Sequence, residues 1–238
     1  MEIASRRGPA ARELGLPLPP DRMPRFRRGR PLKRWRYLGA YGPDAMVCVC
    51  EVRIGPVPQR FWAIAEPGRP IVTRTTTGAG GVRIDGSRAT VEAGNVRIDL
   101  RMEEDGGVES VHPSGRAGYV WTRKQAGIPA RGEIVVGGRR IALDGLGVID
   151  DTAGYHQRVT RWRWCAGVGR ADDGSRVGWN LVTGVNDPPK GSERAERTNL
   201  LLVRSSYRQP FGAFFGELPG GLRLAEGWGV MEWHDVRW

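Results

Sequence analysis

Apolar and polar residues alternate with period two along most of the chain, and a helical period is rare. In AMVCVCEVRI, Met46, Cys48, Cys50, Val52 and Ile54 share one face, while Glu51 and Arg53 take the other. In NVRIDLRM, Val96, Ile98, Leu100 and Met102 point inward, and Asn95, Arg97, Asp99 and Arg101 point to water. Segments of this kind predict half-buried antiparallel strands. Turn signals separate them at short intervals: DGS at 85–87, AGN at 93–95, EDGG at 104–107 and DDG at 172–174. Gly137-Gly138 between EIVV and RRIAL is a two-residue hairpin signal, because primed turns need positive φ at their central positions. Helix is expected for no more than a turn or two near 10–16 and 144–150. The pattern predicts an all-β protein, a sandwich or an antiparallel β-barrel, the barrel removing exposed edges by closing the sheet. The stretch LGVIDDTAGYHQ divides the body into two strand-rich halves, 35–149 and 150–238.

Composition changes this picture at the front of the chain. The net charge is +11 over 238 residues, but residues 1–36 hold 11 Lys and Arg against 3 Asp and Glu, a surplus of eight. That segment also carries six of the 17 prolines and no sustained period, so residues 1–34 read as a basic, largely disordered arm. Such arms can hold phosphate backbones. However, 34 of the 37 basic residues are Arg, which GC-rich coding produces, and no basic and aromatic interleaving marks a nucleic-acid module. No specific nucleic-acid partner is expected. The chain is long enough to bury a core without staples. Its three cysteines, Cys48, Cys50 and Cys165, have neither zinc nor redox spacing and read as buried free thiols. No apolar run reaches the ~20 residues of a membrane helix and no secretory h-region opens the chain, so a cytoplasmic protein without a membrane span is expected.

Phosphate loops, dinucleotide fingerprints, H-E-x-x-H and G-x-S-x-G are all absent. Candidate chemistry collects instead in DDTAGYHQRVTRWRWCAGVG, residues 150–169. Read as a strand, 155–165 puts His156, Arg158, Thr160, Trp162 and Trp164 on one face, with Tyr155, Gln157, Val159, Arg161 and Arg163 on the other. Indoles in line with an imidazole suit an apolar pocket with one polar end, although alternate tryptophans equally fill a barrel core. Asp150 and Asp151 precede this strand, either as turn caps or as a general acid, and adjacent acids point opposite ways, so at most one faces a pocket. The C-terminal GVMEWHDVRW places Glu232, His234, Val236 and Trp238 on one face. His156, His234 and the carboxylates are ligand types for a metal, but their spacing is not diagnostic, and no metal or cofactor is expected. Asn180, in VGWNLVTG, completes the candidate ligand-binding set with Tyr155, Arg158, Trp162, Trp164, Glu232 and His234.

Three stretches carry a resemblance: YVWTRKQAGIPARGEIVVGGRRIALDGLGVIDDTAGYHQRVTRWRWCAGVG, VGWNLVTGVNDPPKGSER and SSYRQPFGAFFGELPGGLRLAEGWGVMEWHDVRW. Together they resemble the bacterial domain of unknown function 2804 family from about Trp35 to Trp238. More distantly, the acids followed by TRWRW are similar to lipocalin-like carotenoid 1,2-hydratases and tocopherol cyclases. The resemblance implies a calycin-type, lipocalin-like barrel or two tandem barrel-like halves, with a ligand cleft near their junction. In the family pattern several strands separate SER from S-x-Y-x-Q-P-F-G, whereas GSERAERTNLLLVRSSYRQPFG joins them almost directly. The C-terminal half is therefore expected to be incomplete, with an open edge available for self-association. Two functional readings stand side by side: a binder of an apolar, lipid- or terpenoid-like molecule, and a cofactor-free acid catalyst on an unsaturated apolar substrate. In the second, Asp150 or Asp151 with His156 would protonate an alkene, and Trp162 and Trp164 would stabilise the cation. A third reading is a truncated member without activity.

Overall fold

The structure is a computed structural model that describes residues 3–78, 80–116, 118–182, 193–200, 203–218 and 221–237. In chain order its strands are β1 (Arg6–Arg7), β2 (Phe26–Arg27), β3 (Arg30–Pro31), β4 (Lys33–Tyr41), β5 (Met46–Ile54), β6 (Val57–Ala65), β7 (Val72–Thr77), β8 (Val82–Asp85) and β9 (Arg88–Ala93), then β10 (Val96–Met102), β11 (Val108–Ser114), β12 (Gly118–Val136), β13 (Arg139–Gly154), β14 (Val159–Ala171), β15 (Arg176–Val182), β16 (Glu193–Leu200), β17 (Val203–Glu217) and β18 (Arg223–Arg237). The all-β reading holds. The helical turn expected near 10–16 is a short 3-10 segment, Gly8–Leu14, whereas the one expected near 144–150 lies inside β13.

The first sheet runs β7-β6-β5-β4-β13-β12-β10-β9-β8. β12 is long enough to serve two neighbours: its second half pairs β10, and its first half pairs β11, to which β1 adds. Gly137 and Gly138, both at positive φ, turn β12 into β13 as the hairpin signal predicts. Alternation sorts the two faces of this sheet. On one face Leu38, Val47, Val49, Trp62 and Ile64 meet Ala89, Val91, Ile98 and Leu100 in a common core, so the sheet curls over itself. It does not close. β7 and β8 end its path without pairing, and both are suited to an edge, β7 as a Thr-rich strand and β8 as a four-residue one. The expected barrel is thus an open curl among the described residues.

The other face carries Tyr37, Tyr41, Cys48, Cys50 and Phe61, and it packs against the second sheet, β15-β14-β18-β17-β16, through Trp164, Ala166, Phe211 and Val230. The first half of β5 is therefore buried on both faces rather than half-buried. The sheets approach closely where β15 meets a bulge in β12. A Cβ on Gly178 would lie 2.3 Å from the Gly127 nitrogen, so only glycine permits that contact. The chain crosses between sheets at 155–158, not at 149–150, because β13 continues to Gly154. The junction where strands are expected to be missing falls partly on residues 183–192 and 201–202, outside the described residues. β16 and β17 on either side of 201–202 pair as a hairpin.

The basic arm differs most from expectation. Ala11, Leu18, Met23 and Leu32 are buried with Val111, Tyr119, Trp121, Ala153 and Tyr155 in a core of their own. Pro17 and Pro24 carbonyls accept hydrogen bonds from Tyr119 and Tyr155 at 2.7 and 2.8 Å. Composition suggested disorder, but four apolar residues spaced along the arm bury enough surface to hold it. Leu18→Ala is expected to lower unfolding free energy by about 2–4 kcal/mol in urea titration, the range for a buried leucine, whereas a disordered arm would leave the midpoint unchanged.

Candidate functional site

Between the two sheets lies a cleft of about 1260 Å³. Its aromatic wall comes from both sheets. Cross-strand register sets Trp162 opposite His234, and His234 opposite Tyr207, so the three rings share a face. Trp35 of the first sheet stacks on Trp162 with centroids 5.8 Å apart and lies 5.1 Å from His156. His234 meets Trp162 edge-on at 4.2 Å, and Tyr37 meets Trp164 edge-on at 5.0 Å. The result is a run of rings from His156 through Trp35 and Trp162 to His234, joining the sheets by aromatic contact.

Polar side chains in this cleft are tied to one another. Asp150 is buried in β13 and ion-paired to Lys124 of β12, its register partner. Lys124 also donates to Asn180 Oδ1 at 3.2 Å, and the same oxygen accepts from Trp164 Nε1 at 2.7 Å. The Asn180 amide in turn donates to the Ile149 carbonyl at 3.3 Å and the Gln125 carbonyl at 3.4 Å, linking β15 to the first sheet. In the second sheet Glu232 accepts from Trp162 Nε1 at 2.6 Å, Tyr207 Oη at 2.7 Å and Gln209 Nε2 at 3.3 Å. His234 Nε2 lies 2.7 Å from Ser205 Oγ. Burial, then the neighbouring charge of Lys33, pushes the His156 pKa down to about 3. Lys33 is itself buried, and its pKa is lowered to about 7 by that burial and by Arg30. Both groups are basic, and desolvation favours their neutral forms.

The structure brings together Asp150, His156, Trp162, Trp164, Asn180, Glu232 and His234 on the cleft. Three expected residues are elsewhere. Asp151 lies on the opposite face of β13, where it accepts from Arg36 at 2.7 Å and Arg123 at 2.8 Å. Tyr155 faces the arm's core and gives its hydroxyl to Pro24. Arg158 is exposed at the end of the crossover, because the strand begins at Val159 rather than at 155. The acids are likewise in mid-strand instead of at a turn. Trp238 lies outside the described residues. Sequence reasoning missed Lys124, Trp35, Tyr37, Phe61 and Tyr207, all on the cleft. One signal was available for Lys124: in a chain with only three lysines among 37 basic residues, a lysine within a strand stands out.

Comparisons with known proteins bear on the fold and on the family. A crystal structure of a Nitrosomonas europaea protein assigned as AttH shares 13% identity at a TM-score of 0.50, over 84% of this chain and 91% of that one. Kievitone hydratase from Nectria haematococca shares 10% identity at a TM-score of 0.46, over 84% of this chain and 88% of that one. The first likeness shows a shared fold, which is lipocalin-like. No curated protein matches the sequence. Residues 69–195, more than half of the chain, match the model of a domain of unknown function, DUF2804, and the chain belongs to that family.

Proposed function

We propose that this protein binds an apolar small molecule in the cleft between its two sheets. The observation that supports this most directly is the run of rings from His156 to His234 along a cleft of about 1260 Å³, a size suited to a lipid- or terpenoid-like ligand. Trp35, Trp162, Tyr37 and Phe61 would bury the ligand's apolar body. The Lys124, Asp150 and Asn180 group at one side and Glu232 with His234 at the other would set its orientation.

Acid catalysis is the weaker reading, for a reason of protonation. With a pKa of about 3, His156 is neutral near pH 7 and offers almost no imidazolium to an alkene. Asp150 is engaged by Lys124 in an ion pair, which occupies the carboxyl group that would have to face the alkene. The chemistry in the hydratase's name belongs to that protein and adds no argument here. A carrier or sensor role needs only the cleft.

Two measurements test this reading. The neutral dye Nile red should bind with a Kd on the order of 10 μM and quench tryptophan fluorescence, and Trp162→Ala should weaken binding by about fivefold or more. Absence of saturable binding by Nile red would overturn the proposal. The second concerns His156. The unfolded chain takes up a proton near pH 6.5 that the folded state accepts only near pH 3, so acidification through that window favours unfolding. Denaturant midpoints should fall between those pH values, His156→Phe should flatten the fall, and NMR should find the His156 ring neutral at pH 5. A ring that titrates near 6.5 in the folded protein would restore it as a candidate acid.

A further inference from the structure

On the face of the first sheet turned away from the second, cross-strand register places Arg53 directly opposite Arg34, Arg34 opposite Ala153, and Ala153 opposite Trp121. Like charges directly opposite on neighbouring strands are destabilising, and nothing in this row offsets them. The carboxylate nearest Arg53 is Glu51 at 3.6 Å, which Arg60 already holds at 2.7 Å. The Arg34 side chain makes no hydrogen bond or ion pair among the described residues. Trp121 is 4% exposed, and its Nε1 has no hydrogen-bond partner among them. A buried donor left without an acceptor destabilises the fold.

A cleft of about 600 Å³ lies over this row, distinct from the larger one and bounded on one side by Pro19 and Pro20 of the arm. Its lining holds five guanidiniums against three carboxylates. Each carboxylate is occupied: Asp151 by Arg36 and Arg123, Glu109 by Arg12, Glu51 by Arg60. Every group with capacity to spare is therefore a donor. We propose that the row Arg53, Arg34, Ala153, Trp121 is a subsite for a small phosphate-type dianion, either inorganic phosphate or the phosphate of a phosphomonoester. Two guanidiniums match two negative charges and can each present a planar pair of N–H groups to phosphate oxygens. The methyl of Ala153 leaves room between them and the indole of Trp121. Occupation would relieve the like-charge pair.

The test is calorimetry and thermal unfolding with inorganic phosphate and with glycerol 3-phosphate, at ionic strength held constant with sodium chloride. Saturable binding and a raised Tm are expected for one or both, the comparison separating free phosphate from an esterified one. Arg34→Gln and Arg53→Gln should each weaken binding by about tenfold or more, the loss of a charge-assisted hydrogen bond. Arg97→Gln, exposed on β10, should leave it unchanged. Without phosphate, Arg53→Gln should keep or raise the Tm, because it removes the repulsion. Failure of both anions to bind saturably, or undiminished binding in both arginine variants, would overturn the proposal. So would a lower phosphate-free Tm in Arg53→Gln with an intact phosphate response.

Discussion

Everything in the first sheet is organised around one constraint, the pleat of β13 at Asp150 and Asp151. β13 lies between β4 and β12, and its register puts Asp150 opposite Lys124 and Asp151 opposite Arg36 and Arg123. Two adjacent carboxylates are buried here on opposite faces, and each needs its own cation, because an uncompensated buried charge costs several kcal/mol. A slip of one residue would exchange the faces and strand both charges, so the pairs hold register as well as charge. From Asp151 the pattern extends sideways as an alternating row, Arg60, Glu51, Arg36, Asp151, Arg123, Glu109, one residue from each of six strands. Glu104 bridges Arg36 and Arg123, and Arg12 of the arm caps Glu109. The row separates the apolar core of the curled sheet from the arm's core, and it turns the mouth of that curl into a charged surface instead of an apolar opening.

The consequence on the other face is a cleft with aromatic walls and polar groups that satisfy one another. Lys124, Asp150, Asn180 and Trp164 form a closed set that ties β12, β13, β14 and β15 together across the two sheets. Glu232 does the same within the second sheet for Trp162, Tyr207 and Gln209. Hydrogen-bond networks of this kind orient their members. They hold the indoles of Trp162 and Trp164 in fixed positions along the cleft.

Period-two alternation made the strands, their inward faces and the 137–138 hairpin legible in the sequence. The indole face of TRWRW and the placement of Arg161 and Arg163 outside also followed from it, since both depend only on local geometry. What escaped was set by partners distant in sequence. The length of β13 depends on pairing with β4 and β12, so local pattern alone places the acids at a turn, although they lie four and three residues before the end of the strand. Tyr155 was assigned to a pocket because its acceptor, the Pro24 carbonyl, belongs to an arm that composition marked as disordered. Trp35 and Tyr37 escaped because a ring is identified as wall or core only by what the facing sheet brings to it. Closure of a barrel likewise depends on whether β7 and β8 meet, which no local pattern specifies.

Arginine bias has a structural side that coding bias does not supply. Arg36 and Arg123 each reach two carboxylates, Asp151 and Glu104, which a planar fork with several donors can do at fixed geometry. The two described lysines occupy different surroundings. Lys124 fits a confined space between one carboxylate and one amide oxygen, and Lys33 is enclosed where burial brings its pKa to about 7. An arginine, which keeps its proton throughout the ordinary pH range, could not surrender its charge there as Lys33 can. The two described positions that depart from the compositional bias are thus ones where a compact or neutralisable cation fits, which makes the rarer basic residue informative about this chain's interior.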